Sequence, residues 1–136
     1  MAARRRETRR VERSRAIGFL KKATEFVESM RQALHAGRWN AVGLNAVHCA
    51  ISACDAVLVY YTEQRSVGPD HDEAAYLLGS LPKVPDVKSK AETLRRIVHE
   101  KRLIEYEDRA VTAQEAAELA KLTDRFYTWA KHLVEP

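Results

Sequence analysis

Between residues 39 and 62 the chain carries one charged side chain, Asp55. Val42, Leu44, Ala46, Val47, Ala50, Ile51, Ala53, Ala56, Val57, Leu58 and Val59 surround the helix predicted there, from about Trp39 to Gln64. A helix that is apolar on most sides sits in the middle of a bundle or in an oligomer interface. Its alanines let neighbouring helices approach closely. The stretch is long enough to span a bilayer, but Asn40, Asn45, His48 and Ser52 would be expensive in lipid. The expectation is therefore a buried helix of a soluble bundle, with no membrane partner. Gly68 and Pro69 form a strong breaker after it.

The flanking segments supply helices with one apolar seam each. Leu20, Ala23, Val27, Met30 and Leu34 alternate by three and four residues, widened by Ile17, Phe19 and Phe26. This first helix is predicted from near Arg4 to His35, with Gly37 as its stop. Asp70 and Glu73 have the spacing of a capping box for a short third helix carrying Tyr76, Leu77, Leu78 and Leu81. Pro82 and Pro85 close it rigidly. A fourth helix from Asp86 turns Val87, Ala91, Leu94, Ile97 and Val98 inward. Thr112 and Glu115 form a second capping box. It opens a fifth helix seamed by Ala116, Leu119, Thr123, Phe126, Ala130 and Leu133. Five glycines and four prolines among 136 residues are too few for an all-β protein, and no β alternation is sustained. The fold class expected is all-α: an up-and-down bundle of about five helices, one domain over residues 16–136.

Residues 1–15 form a separate basic arm. They hold seven arginines and two glutamates, whereas the remainder of the chain has a balance of −1. Arg4, Arg5, Arg6, Arg9, Arg10 and Arg13 are the candidate RNA contacts, because such an arm attracts phosphate by counterion release. The arm is expected to continue the first helix beyond the region that can pack; a solvated helix start without a ligand is the alternative. Cys49 and Cys54 lie five apart in an apolar stretch, neither a zinc nor a redox motif, and read as small buried hydrophobes suited to a reducing cytoplasm. The five histidines show no metal-ligand spacing, so neither a metal nor a cofactor is expected.

One stripe stops being apolar. The inner face of the fourth helix continues by helical spacing to Lys101, Arg102 and Glu105, with Tyr106 next. A partly buried guanidinium needs a partner. Glu105 and Asp55 are the candidates for a structural charge network with Arg102. An exposed helix end and a ligand-facing site are the other readings.

The segment NAVHCAISACDAVLVYYTEQRSVGPDHDEAAYLLGSL resembles the central part of HEPN domains, the nucleotide-binding helical bundles of higher eukaryotes and prokaryotes. Those have an Ala-rich helix, a loop, and a His introducing a short Leu-rich helix. Ala50, Ala53, Ala56 and Leu58, then His71, then Leu77 and Leu78 fit. Downstream, Arg102, Tyr106, Thr112 and Glu115 resemble the closing stretch of that family, and the likeness covers roughly residues 16–134. It implies a dimer and nucleotide or RNA binding. The setting it implies is a toxin–antitoxin or defence system, often beside a nucleotidyltransferase-like partner.

Many members of that family are metal-independent endoribonucleases with an Arg, four to six residues, then a His. The His helps deprotonate the ribose 2′-OH and the Arg stabilises the phosphorane, chemistry that suits imidazole and guanidinium. This chain departs from the pattern. Tyr106 stands where the His after Arg102 is expected, and a phenol with a pKa near 10 is a poor base at neutral pH. Arg65 and His71 satisfy Arg-x5-His literally, across a Gly-Pro loop. The candidate catalytic residues are thus Arg102, Tyr106, His71 and Arg65. The leading expectation is an RNA- or nucleotide-binding interaction module, with an endoribonuclease and a ligand-free scaffold as alternatives.

Overall fold

The computed structural model describes residues 7–68, 71–106 and 109–135; the side chains of Arg102, Leu103, Glu105 and Tyr106 lie outside the description. The described chain is an all-α bundle of five helices with one small two-stranded ribbon. The helices are α1 (Ala16–His35), α2 (Trp39–Thr62), α3 (His71–Gly79), α4 (Val87–Tyr106) and α5 (Ala113–Val134). The strands are β1 (Thr8–Arg10) and β2 (Gln64–Ser66).

The apolar helix α2 is the axis of the bundle and packs against all four other helices, most extensively α1. It has the length and hydropathy of a membrane span, yet 78% of that window is buried inside the protein. Its apolar sides are consumed by its own chain. The seams of α1, α4 and α5 close on it through Leu20, Val27, Met30, Leu94, Ile97 and Phe126, all 3% exposed or less. Ile17 departs from the expected seam and is 51% exposed. Gly43 marks a tight crossing: a methyl group there would lie 2.6 Å from Cδ1 of Ile104, so the Ile104 side chain of α4 packs directly on the α2 backbone.

Turn chemistry fixes the order of the helices. Gly37, at φ +73, ends α1 in the left-handed conformation common at helix C-termini. Thr112 and Glu115 form the expected capping box at the start of α5, and Arg109 clamps the same Glu115 carboxylate through two nitrogens, each at 3.0 Å. Between α3 and α4, Lys83 and Asp86 each follow a proline at positive φ. Leu81, Val84 and Val87 are buried, and the Trp129 indole donates to the Pro85 carbonyl at 2.9 Å. Asp70 and Pro69 lie outside the described residues, so the first capping box does as well.

The N-terminal segment differs from the expectation of a continuous helix. α1 begins at Ala16, preceded by a single 3-10 turn at Arg13–Arg15, and Thr8–Arg10 forms β1. β1 pairs antiparallel with β2, Thr8 opposite Ser66, Arg9 opposite Arg65 and Arg10 opposite Gln64. The cause lies at the end of α2. Glu63 takes φ 55, reversing the chain so that β2 runs back and offers its edge. The Glu63 carbonyl accepts from the Val11 amide at 2.9 Å and its carboxylate from the Arg13 amide at 3.1 Å. Arg13 Nε donates to the Tyr60 carbonyl at 2.7 Å, a cation at a helix C-terminus whose last carbonyls lack intrahelical partners. Val11 is buried beneath this crossing.

Candidate nucleic-acid interface

The arm is thus held against the bundle from Glu7 to Arg15. Arg9 and Arg10 are exposed on β1; Arg10 reaches Glu63 only at 3.8 Å, with 72% of its side chain exposed. Arg13 is tied to the end of α2. Arg4, Arg5 and Arg6 lie outside the described residues. Backbone pairing places two arginines directly opposite each other, Arg9 on β1 and Arg65 on β2, so both side chains leave the ribbon on the same face. Like charges so placed repel.

Asp55 relieves that repulsion. Its carboxylate lies 3.2 Å from Arg65 Nη2, with 7% of the Asp55 side chain and 31% of the Arg65 side chain exposed. The Arg65 guanidinium also lies 5.0 Å from the centre of the Phe19 ring, and Lys22 Nζ lies 5.9 Å from the same ring. Both are cation–π arrangements. The partner found for Asp55 is Arg65, brought back beside α2 by the reversal at Glu63. The Arg102 and Glu105 side chains lie outside the described residues. Arg65 Nε is buried without a hydrogen-bond partner among the described residues.

Burial pushes the Asp55 carboxyl up from 3.8 to about 6, against the opposing pull of Arg65 and Lys22. The native state therefore binds this proton more tightly than the unfolded chain does. Stability falls as pH rises from about 4 to about 6, by on the order of 2–3 kcal/mol from this group, and stays at the lower level above. Asp55→Asn, which can still accept from Arg65, is expected to abolish that component in urea unfolding measured between pH 4 and 7.5. Glu115 acts in another window with the opposite sign. Hydrogen bonds from Arg109 and Thr112 hold its carboxyl down at about 2, so its contribution is present above 4.5 and lost as pH falls toward 2.

The literal Arg-x5-His pair separates in space by partner. Arg65 goes to Asp55, whereas His71, in the first turn of α3, meets α4: its Nε2 lies 3.3 Å from Lys101 Nζ. With Lys101 as an ammonium, it donates and Nε2 accepts, leaving the ring proton on Nδ1. His71 is thereby seated against the residue that precedes Arg102. The Arg102 and Tyr106 side chains lie outside the described residues. Lys101 was visible to sequence reasoning only as part of a charged helix end; antiparallel packing of α3 on α4 selects it.

The two regions are neighbours. A methyl group at Gly68 would lie 3.6 Å from Oε2 of Glu7 and 3.7 Å from Oε2 of Glu73, so the start of the described arm approaches the first turn of α3. Glu73 is buried, and its Oε1 has no hydrogen-bond partner among the described residues. Among the described residues no three His, Cys, Asp or Glu side chains come together as a metal site. Cys49 and Cys54 are buried free thiols; burial pushes Cys49 up to about 12 and Cys54 well above its ordinary value, which makes them unreactive.

A family model of the HEPN domain matches residues 18–133. The chain belongs to the HEPN family. The match runs from the first turn of α1 to the last turn of α5 and does not include β1. No curated protein matches the chain.

Proposed function

We propose that this HEPN chain is an RNA- or nucleotide-binding interaction module whose basic N-terminal segment serves as a binding surface. The observation that carries this reading is the docking of the arm. Exposed Arg9 and Arg10 stand on a strand tied to the bundle at Val11, Arg13 and Val67. Held cations lose less freedom on meeting a phosphate backbone than those of a frayed tail, and they present a fixed register. The chain acts as a homodimer beside a nucleotidyltransferase-like protein, in a toxin–antitoxin or defence setting. Family likeness and the exposed Ile17, Leu44, Tyr61, Val67 and Tyr76 support the dimer; the rest of the apolar surface of α2, already covered, does not. Light scattering at micromolar concentration is expected to give twice the chain mass.

A second reading, a metal-independent endoribonuclease, is favoured by one contact, His71 on Lys101 beside Arg102. An imidazole accepting at Nε2 and a lysine ammonium are a base and a phosphate ligand in one place. One titration separates the two readings. Fluorescently labelled single-stranded RNA with the full chain in EDTA is expected to bind with an affinity that falls steeply with salt, and to stay intact. Cleavage with a cyclic phosphate end, lost in His71→Ala, would replace the binding reading by the enzymatic one. Failure to bind single-stranded RNA or ATP would remove both.

A further inference from the structure

Arg9 and Arg65 leave the ribbon on one face, Arg65 and Lys22 share the Phe19 ring, and the carboxylate in ion-pair contact with Arg65 is Asp55. Arg65 and Lys22 both lie within 6 Å of the Phe19 ring centre. Arg9 faces Arg65 across the ladder. Asp55 neutralises one of the three cations and is itself buried, so it holds Arg65 from below and leaves the outer side open. Asp55 offsets one of these three cations, and the Phe19 ring lies within reach of Arg65 and Lys22 as an aromatic floor.

We propose that Arg9, Arg65 and Lys22 form a phosphate-binding cleft over Phe19, with Asp55 as the positioning residue that aims the Arg65 guanidinium. The cleft rests on the RNA- or nucleotide-binding reading and names its anion site. A phosphate oxygen entering between Arg9 and Arg65 offsets the part of their mutual repulsion that Asp55 leaves. Asp55 competes with that phosphate for Arg65. The cleft therefore makes a prediction of unusual sign: removing a carboxylate from the protein interior tightens binding. The shared chemistry is a phosphate group, supplied by the backbone of a single strand or by a free nucleotide.

The probe is a 12-residue oligouridylate with a 3′ fluorophore and no terminal phosphate, followed by anisotropy across a salt series. Lys22 is exposed on α1, so Lys22→Gln leaves the fold intact. It is expected to weaken binding roughly 5- to 10-fold and to lower the log–log salt slope by about 0.7, one phosphate contact. Arg65→Lys, which keeps the charge but loses the fork, is expected to bind about 3-fold or more weakly. Asp55→Asn is expected to bind about 3-fold or more tightly, because the competing charge is gone. Displacement of the oligouridylate by inorganic pyrophosphate, weakened by the same factor in Lys22→Gln, assigns the cleft to a free phosphate; resistance assigns it to the strand backbone. Lys22→Gln and Arg65→Lys binding as tightly as the unmodified chain, or Asp55→Asn binding no more tightly, would overturn the cleft. Arg10→Ala separates the two levels. If it alone weakens binding, the cleft falls and the RNA reading stands; if the unmodified chain binds neither probe, the RNA reading falls as well.

Discussion

Replacing Arg9 and Arg10 together by alanine is expected to weaken single-stranded RNA binding roughly 30- to 100-fold near 0.1 M salt. The magnitude follows from two charged contacts at somewhat more than about 1 kcal/mol each. The salt slope should fall by about 1.4, since each single-strand phosphate contact contributes about 0.7. The loss should be uniform across sequences, because phosphate contacts position and do not read bases. The fold should be indifferent. Both side chains point to solvent, and β1 is held by backbone bonds and by Val11 and Arg13, which the double substitution leaves in place. Anisotropy across a salt series, beside circular dichroism of the same sample, checks both halves. An affinity that drops without any change in slope would mean that the arginines act through structure.

The largest effect on stability is expected at Phe126. Its side chain is fully enclosed between α5 and α2, with the Trp129 ring centre at 5.6 Å. Phe126→Ala removes that transfer free energy and leaves a cavity that close-packed helices cannot fill, for a loss of about 3–5 kcal/mol. A domain of this size holds roughly 5–15 kcal/mol in all. The urea midpoint should therefore fall by about a fifth or more at unchanged slope. Leu44→Ala, at a side chain 42% exposed, should stay within about 0.5 kcal/mol of the parent.

The contrast between what the residues announce and what they conceal has a physical basis. Periodicity reports burial, so the axis helix and the seams Leu20–Val27 and Leu94–Val98 could be read directly. Capping is local, so Thr112 with Glu115 could be read as well. The strand pair could not. Three residues are too few to show alternation, and the strand preference of Thr8 alone, beside two arginines, is too little to signal one. β1 exists because Glu63 adopts a left-handed conformation and then bonds the passing chain, and a glutamate does not advertise positive φ. The same reversal decides the partner of Asp55. Its need for a cation was plain from burial, but the choice of Arg65 depended on a turn invisible in the pattern. Likewise His71 could be singled out, while its neighbour Lys101 depended on how α3 lies along α4.

Electrostatics then links fold to function. A buried carboxylate, pushed toward its neutral form by burial, sits in a helix that is otherwise uncharged for six turns. Its role here is to hold a guanidinium beside a strand that carries more of them. Replacing such a pair with apolar residues commonly leaves stability unchanged or higher, so stability alone does not account for Asp55.

Hydrogen exchange of the full chain, with and without a 12-residue oligouridylate, tests the central claim most directly. Amides of Arg9, Val11, Arg13, Arg65 and Val67 are predicted to be protected in the free protein by the ribbon and its tie to Glu63, and to slow further when RNA is added. Fast exchange of Arg9, Val11 and Arg13 in the free protein, or RNA-induced protection confined to other helices, would contradict a docked arm as the nucleic-acid surface.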